Sequence, residues 1–377
     1  MTLSPRGRLD QLPAELLHKI VRYLDFLSLR DLSSTNRTLR DVAIPRLFEC
    51  ISVPFSASGL DILKEVATSL LVKVVKSLQF RVLPRLKNVC ARYKVRTSPM
   101  ERIYSRETHI FYEENGWLPQ NTTYENVIER MSTICEEQAK LIGNDSELSS
   151  LVTVLQQFSA VEELDMRWGT FPADTCGLGT VLKLCIEKHD SCFERFMEVA
   201  SRTIGLRLKA NPITSLQVSA CRMLPGYDFS CPVRYLQEAF ASIRSLHIRA
   251  HDRLLHLLAC QVDMSGLKCL KVTFEALALD ILGKLCKRAG KTLAVLHIQT
   301  NFLCYNGRRY GGTPPSIVYH GLDRQIVIFL HTLGQDMSLG EVSVRIGGYT
   351  EEYMRLLESV LRREVSVSDC EPFIEDR

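Results

Sequence analysis

Tryptophan is scarce in this chain, two residues in 377, and long apolar runs are missing altogether. The stretch SLLVKVV, Ser69 to Val75, is short and broken by Lys73. A membrane span needs about 18–20 consecutive apolar residues, so no membrane association is expected. The opening MTLSPRGRLDQLP has no apolar core of the kind a secretory leader carries. Neither sign of charge dominates: 47 Lys and Arg stand against 43 Asp and Glu, a net charge of +4. That balance is too weak to imply nucleic acid as a partner. No glycine-rich phosphate turn with its lysine, no HExxH, no GxSxG and no Ser/His/Asp order stands out, so neither a catalytic role nor a cofactor is expected. Arg308 to Pro315, RRYGGTPP, lacks a strand–loop–helix context and reads as a flexible loop. Thirteen cysteines are spread without a disulfide rhythm. Without a leader they read as reduced thiols, which points to the cytoplasm, the nucleus or both. At 46% hydrophobic and 24% charged residues the composition is that of an ordinary globular protein, with room for two or three domain-sized units.

The most informative stretch is Leu9 to Phe48. Leu12-Pro13 is an extended entry, and proline suits a first helical position because it needs no N–H partner. Leu16, Leu17, Ile20, Val21 and Leu24 then recur at three- and four-residue spacing, one face of a helix. Asp25-Phe26-Leu27 breaks that helix. Ser28 with Asp31 predicts the start of a second helix carrying Leu29 and Leu32. Asn36 predicts the cap of a third, carrying Leu39, Val42 and Ala43 up to Pro45. Forty residues cannot bury that many apolar side chains among themselves, and a surplus gathered in one patch usually marks a binding face.

Leu12-Pro13, Glu15-Leu16-Leu17, Ile20-Val21, Tyr23-Leu24, Leu29 with Leu32, Asn36-Arg37, Leu39 and Val42 closely resemble the F-box. The resemblance covers the first fifty residues only, and it lacks the tryptophan that some F-boxes carry near their end. It implies a Skp-type adaptor as partner and, through it, the cullin scaffold of an SCF-type E3 ubiquitin ligase. The implied adaptor-binding residues are Leu12, Pro13, Leu16, Leu17, Ile20, Val21, Leu24, Leu29, Leu32 and Leu39.

Beyond the F-box-like region a pattern apolar-x-x-Leu-x-apolar recurs, centred on Leu78, Leu164, Leu216, Leu246, Leu270, Leu296 and, with valine, Val342. Each is an alternating segment, the mark of a strand with one buried face. Ile51–Val53 and VSVSD, ending at Asp369, extend the series at either end. Helical stretches fill the gaps, among them ELSSLVTVLQQF, CPVRYLQEAFASI, EALALDILGKLCKRAG and LDRQIVIFLHTLG. From Leu216 to Leu296 the spacing falls in or near the roughly 20–29-residue period of leucine-rich repeats. The outer spacings need insertions. The expected fold is therefore an α/β solenoid: a three-helix F-box followed by an irregular leucine-rich-repeat-like array with a curved parallel sheet. The competing fold, a doubly wound α/β domain, fits less well because the strands alternate and no glycine-rich phosphate turn is present. The expected domains are an F-box over 1–50, a strand–helix–strand start of the array over 51–80, a charged insertion over 81–146 and the repeat domain over 147–377. The insertion is basic in its first half and acidic in its second, with a helix predicted from Thr123 to Ile142. The pairing of F-box and divergent repeats resembles the F-box sets of filamentous fungi.

In such an array the leucines point inward and the residues flanking them face the open side. That column holds Glu163, Asp165 and Arg167, then Gln217, His247 with Arg249, Lys271 and His297. Gln217, His247, Arg249, Lys271 and His297 form a neutral-to-basic centre and are the candidate substrate-binding residues, suited to an acidic or phosphorylated target segment. Cys176, Cys185, His189 and Cys192 suggest zinc at first. Their spacing continues through Phe193, Phe196 and Ala200 as one buried helix stripe, so no metal is expected. The function expected from the whole is the substrate-recognition subunit of an SCF-type ligase with an unknown protein target. The rivals are an adaptor-bound scaffold without ubiquitylation targets and an enzyme with a helical preface.

Overall fold

The computed structural model describes residues 9–82, 102, 105, 106, 109, 123–168, 191–207, 211–219, 233–249, 252–305, 308–310, 324–347 and 349–374. Three helices open it: α1 (Ala14–Val21), α2 (Phe26–Thr35) and α3 (Arg37–Leu47). Asp25, not Ser28, caps α2, because its carboxylate accepts the Ser28 backbone N–H at 2.9 Å and the Ser28 hydroxyl at 3.1 Å. Asn36 caps α3 as expected, accepting the Leu39 N–H at 2.9 Å, while its own amide donates to Asp10. The third helix runs past Pro45 to Leu47. Val21, Leu29 and Ala43 form a small core of their own, flanked by Leu24, Leu32, Val42 and Leu47.

β1 (Cys50–Pro54) follows after only Phe48 and Glu49. Then come α4 (Ala57–Thr68), β2 (Ser77–Val82), α5 (Tyr124–Gly143), α6 (Asp145–Gln157), β3 (Glu163–Trp168), α7 (Ser191–Arg207), β4 (Ser215–Ser219), α8 (Val233–Phe240), β5 (Ser245–Arg249) and α9 (Asp252–Gln261). The chain continues through β6 (Cys269–Ala278), α10 (Leu279–Ala289), β7 (Val295–Tyr305), β8 (Arg308–Tyr310), α11 (Arg324–Gln335), β9 (Glu341–Ile346) and α12 (Glu351–Leu361). Among the described residues the strands make one sheet whose order follows chain order from β1 to β7, every pair parallel, with β9 parallel beside β7. β8 pairs antiparallel with the end of β7, so Arg308–Tyr310 belongs to the sheet and not to a loop.

Register lines up the repeat leucines. Ile51, Leu78, Leu164, Leu216, Leu246, Leu270, Leu296 and Val342 are partners in sequence across the sheet. All but the half-buried Ile51 are buried, as is the second row from Val53 to Val344. The helices cover this buried side, α4, α6, α7 and α8 packing in succession and α9 to α12 likewise. Phe55, Phe80 and Phe196 meet there at ring separations of 5.5–6.1 Å. The intervening residues on the other side are mostly half-buried or exposed.

Two expected elements differ. EALA, expected at the start of the next helix, instead continues β6, where Ala276, Leu277 and Ala278 pair with Phe302, Leu303 and Cys304 of β7. VSVSD is not a strand. Arg363 has φ of 62°, the Asp369 carboxylate accepts the Ser366 N–H at 2.9 Å, and a 3-10 helix runs over Ser368–Phe373. Such local side-chain bonds compete with a strand ladder. Within 81–146, β2 reaches Val82 and α5 sends Gln138, Leu141 and Ile142 into the main core. Cys176, Cys185 and His189 lie outside the described residues, as does the side chain of Cys192.

Candidate functional site

The ten F-box positions divide by burial. Leu17, Val21, Leu29 and Leu39 turn inward and hold the three helices together. Ile20, Leu24 and Leu32 are half-buried, and Leu12, Pro13 and Leu16 are exposed. Leu17, expected to be available to a partner, is therefore a core residue with only 2% of its surface exposed. The exposed apolar surface instead extends to residues that periodicity passed over: Leu9, Tyr23, Phe26 and Leu27, with Tyr23 90% and Phe26 64% exposed. Their signal was present as two large apolar residues, Phe26-Leu27, at a helix break where a turn would ordinarily be polar. Contiguous exposed apolar patches mark interaction surfaces.

On the open side of the sheet, register places Gln217, His247, Lys271 and His297 next to one another on β4 to β7. Arg249 lies two residues beyond His247, beside Ser219 and Thr273. The sequence-predicted substrate residues are thus contiguous. His247 is held below the usual histidine range, first by burial and then by the Lys271 and Arg249 cations, with Asp165 opposing. Its Nε2 lies 3.4 Å from the Thr273 hydroxyl. His297 is already engaged by Glu341, Nε2 to Oε1 2.8 Å. Arg249 and Lys271 are both exposed.

The other end of the same face is acidic. The connection between α1 and α2, the start of α2 and the end of α3 border, with β1 to β4, a groove of about 790 Å³. Leu24, Phe26, Leu29 and Leu47 line it from the F-box side together with Asp25 and Arg46, and Gln79, Glu163, Asp165, Arg167, Ser215 and Gln217 line it from the sheet. Asp165 is 3% exposed. Its Oδ2 accepts Gln79 Nε2 at 2.9 Å and Arg167 Nε at 2.8 Å, while its Oδ1 is buried with no hydrogen-bond partner. Burial pushes the Glu163 carboxyl upward and the nearby Asp165 charge adds to this, with Arg167 opposing. Sequence reasoning placed Asp165 on this face but missed its burial.

Residues 9–48 match the family model of the F-box domain. F-box domains bind Skp-type adaptors, and the match points to an SCF-type adaptor-binding subunit. A search of curated proteins found no match to the chain. Among the described residues no helix is long and apolar enough to cross a membrane, and no three His, Cys, Asp or Glu side chains are grouped to hold a metal ion.

Proposed function

We propose that this protein is the substrate-recognition subunit of an SCF-type E3 ubiquitin ligase. The observation that carries the reading is the bare apolar surface of residues 9–48, Leu9, Leu12, Leu16 and Leu27, on a region that matches the F-box domain. The Skp-type adaptor covers that surface and connects the chain to the cullin scaffold. The remainder is read as a leucine-rich-repeat-like array. Support comes from a sheet order that never reverses and from aligned rows of buried leucines, unlike a doubly wound sheet, whose order turns back.

The open face of the sheet is the proposed target surface, with Gln217, His247, Arg249, Lys271 and His297 receiving an acidic or phosphorylated segment. The chain performs no bond chemistry. It raises the effective concentration of target lysines near the charged conjugating enzyme by holding adaptor and target at once.

The test is affinity purification of the full chain with and without proteasome inhibition. Recovery of the adaptor, lost on Leu16→Asp, together with proteins that accumulate on inhibition, is the expected result. Adaptor recovery with no accumulating protein would assign the chain to a scaffold role. Undiminished adaptor recovery by the Leu16→Asp chain would overturn the docking surface.

A further inference from the structure

The acidic end of the sheet face has a charge imbalance built into it. Glu163 and Asp165 are two residues apart on β3, so their side chains leave the sheet on the same side. Arg167, the next residue on that side, is paired to Asp165 and offsets one of the two charges. The neighbouring cations are engaged elsewhere, since Arg46 and Lys76 both bind Glu49. The start of α2, which would otherwise favour an anion, is already capped by Asp25. What is left is a half-buried Glu163 at the groove and, lining it too, a nine-tenths-buried Asp165 whose Oδ1 is enclosed without a donor. Leaving such an oxygen unpaired is costly, and native structures rarely do so without a reason.

The groove also specifies the shape of the missing donor. Leu24, Phe26 and Leu29 line it from the F-box side and the carboxylates from the sheet. Apolar side chains beside carboxylates suit a side chain with a long methylene stem and a cationic head. A guanidinium has the further option of the exposed Phe26 ring.

We propose that the groove between the F-box helices and β1–β4 receives a lysine or arginine side chain of the target, with Glu163 as its acceptor and the buried Asp165 charge behind it. This rests on the reading of the open sheet face as the target surface, and it makes that surface bipolar, taking a basic residue at β3 and an acidic one at β5–β6.

The experiment selects peptides from a phage-displayed library of random 12-residue sequences on the full-length chain without adaptor. Selected peptides are then synthesised and their affinities measured for the wild type, Asp165→Asn and Glu163→Gln. The expected result is enrichment of Lys or Arg at one position. Replacing that residue by norleucine or citrulline, or the protein by either variant, should weaken binding about tenfold. Glu163→Gln guards against misfolding, since Glu163 is half-buried, whereas the buried Asp165 accepts Gln79 and Arg167. Both variants should keep the wild-type circular dichroism spectrum. Selection of peptides without a basic position, equal affinity for wild type and variants, or no enrichment at all would overturn the proposal. Enrichment of acidic or phosphomimetic positions alone, lost on Arg249→Glu, would also overturn it while leaving the open sheet face intact as the target surface.

Discussion

Leu16 and Leu17 are consecutive in α1 and face opposite environments, 46% exposed against 2%. A helix turns about 100° per residue, so one of the pair enters the three-helix core and the other meets solvent. Leu16→Asp should therefore abolish adaptor co-purification while the thermal midpoint moves little. Leu17→Ala should cost about 2–5 kcal/mol of stability in the F-box bundle. Thermal melts paired with pull-downs separate the two. Equal loss of stability in both variants would contradict the division of this helix into a core face and a docking face.

The Asn36 cap can be checked alone. Asn36→Ala removes the acceptor for the Leu39 N–H and the donor to Asp10, and should destabilise the bundle by about 1 kcal/mol. Urea unfolding monitored by helical circular dichroism reads that change. Asn36→Ser, which keeps a capping oxygen, should recover most of the loss.

Glu163 makes stability depend on pH in a definite direction. Its folded pKa lies above the ordinary 4.5, so the folded chain holds that proton more tightly than the unfolded one. The resulting stabilisation is fully present below the unfolded value and is lost as pH rises through the folded value. Glu163→Gln cannot ionise. Relative to wild type it should gain stability as pH rises from about 4 to 7, read from midpoints across that series. A gap that shrinks with rising pH would contradict this.

Gly59 lies against β1, where an added Cβ would come 1.9 Å from the Pro54 carbonyl oxygen. That obstacle is backbone and cannot rotate away. Gly59→Ala should cost at least about 2 kcal/mol, although alanine ordinarily favours a helix. Denaturant midpoints of the full chain test it.

Cys286 is buried on α10, and burial pushes its thiol up to about 12. The thiolate is the reactive form, so iodoacetamide at neutral pH should leave Cys286 unmodified in the folded chain and label it after unfolding. Peptide mass spectrometry distinguishes the two.

The strand series was legible because alternation is local. Leu78, Leu164, Leu216, Leu246, Leu270, Leu296 and Val342 could be picked out one segment at a time, and the sheet aligns them in register. The helix caps were legible in part. Asn36 followed its rule, while Asp25 displaced Ser28 because a carboxylate at that position can reach both the N–H and the hydroxyl of Ser28. The same local logic failed at VSVSD, whose alternation is a strand pattern but whose Ser366 and Asp369 bond to each other. Periodicity could not separate Leu16 from Leu17, since both fit an apolar stripe until the neighbouring helices decide which is covered. Nor could it find the groove at Asp165. That depends on where the first three helices lie beside strands more than a hundred residues later, which no window of sequence contains.

Glu49 has a consequence for how the molecule would present its cargo. Only Phe48 and Glu49 separate α3 from β1. The Glu49 carboxylate holds Arg46 on one side and Lys76 on the other, and its carbonyl accepts the Lys76 and Ser77 N–H groups at 2.8 and 3.0 Å. The joint is thus a splint and not a tether, and in the proposed ligase it would make the chain a yardstick of fixed length and pitch between adaptor and cargo. In the proposed ligase, lysines would be marked according to their distance from the docked segment and not according to the residues around them. Inserting Gly-Ser-Gly-Ser between Phe48 and Glu49 should spread ubiquitin over more lysines of a target while leaving affinity for each partner unchanged. Mapping the modified lysines by mass spectrometry would read the yardstick directly, and an unaltered pattern would show that its rigidity sets nothing.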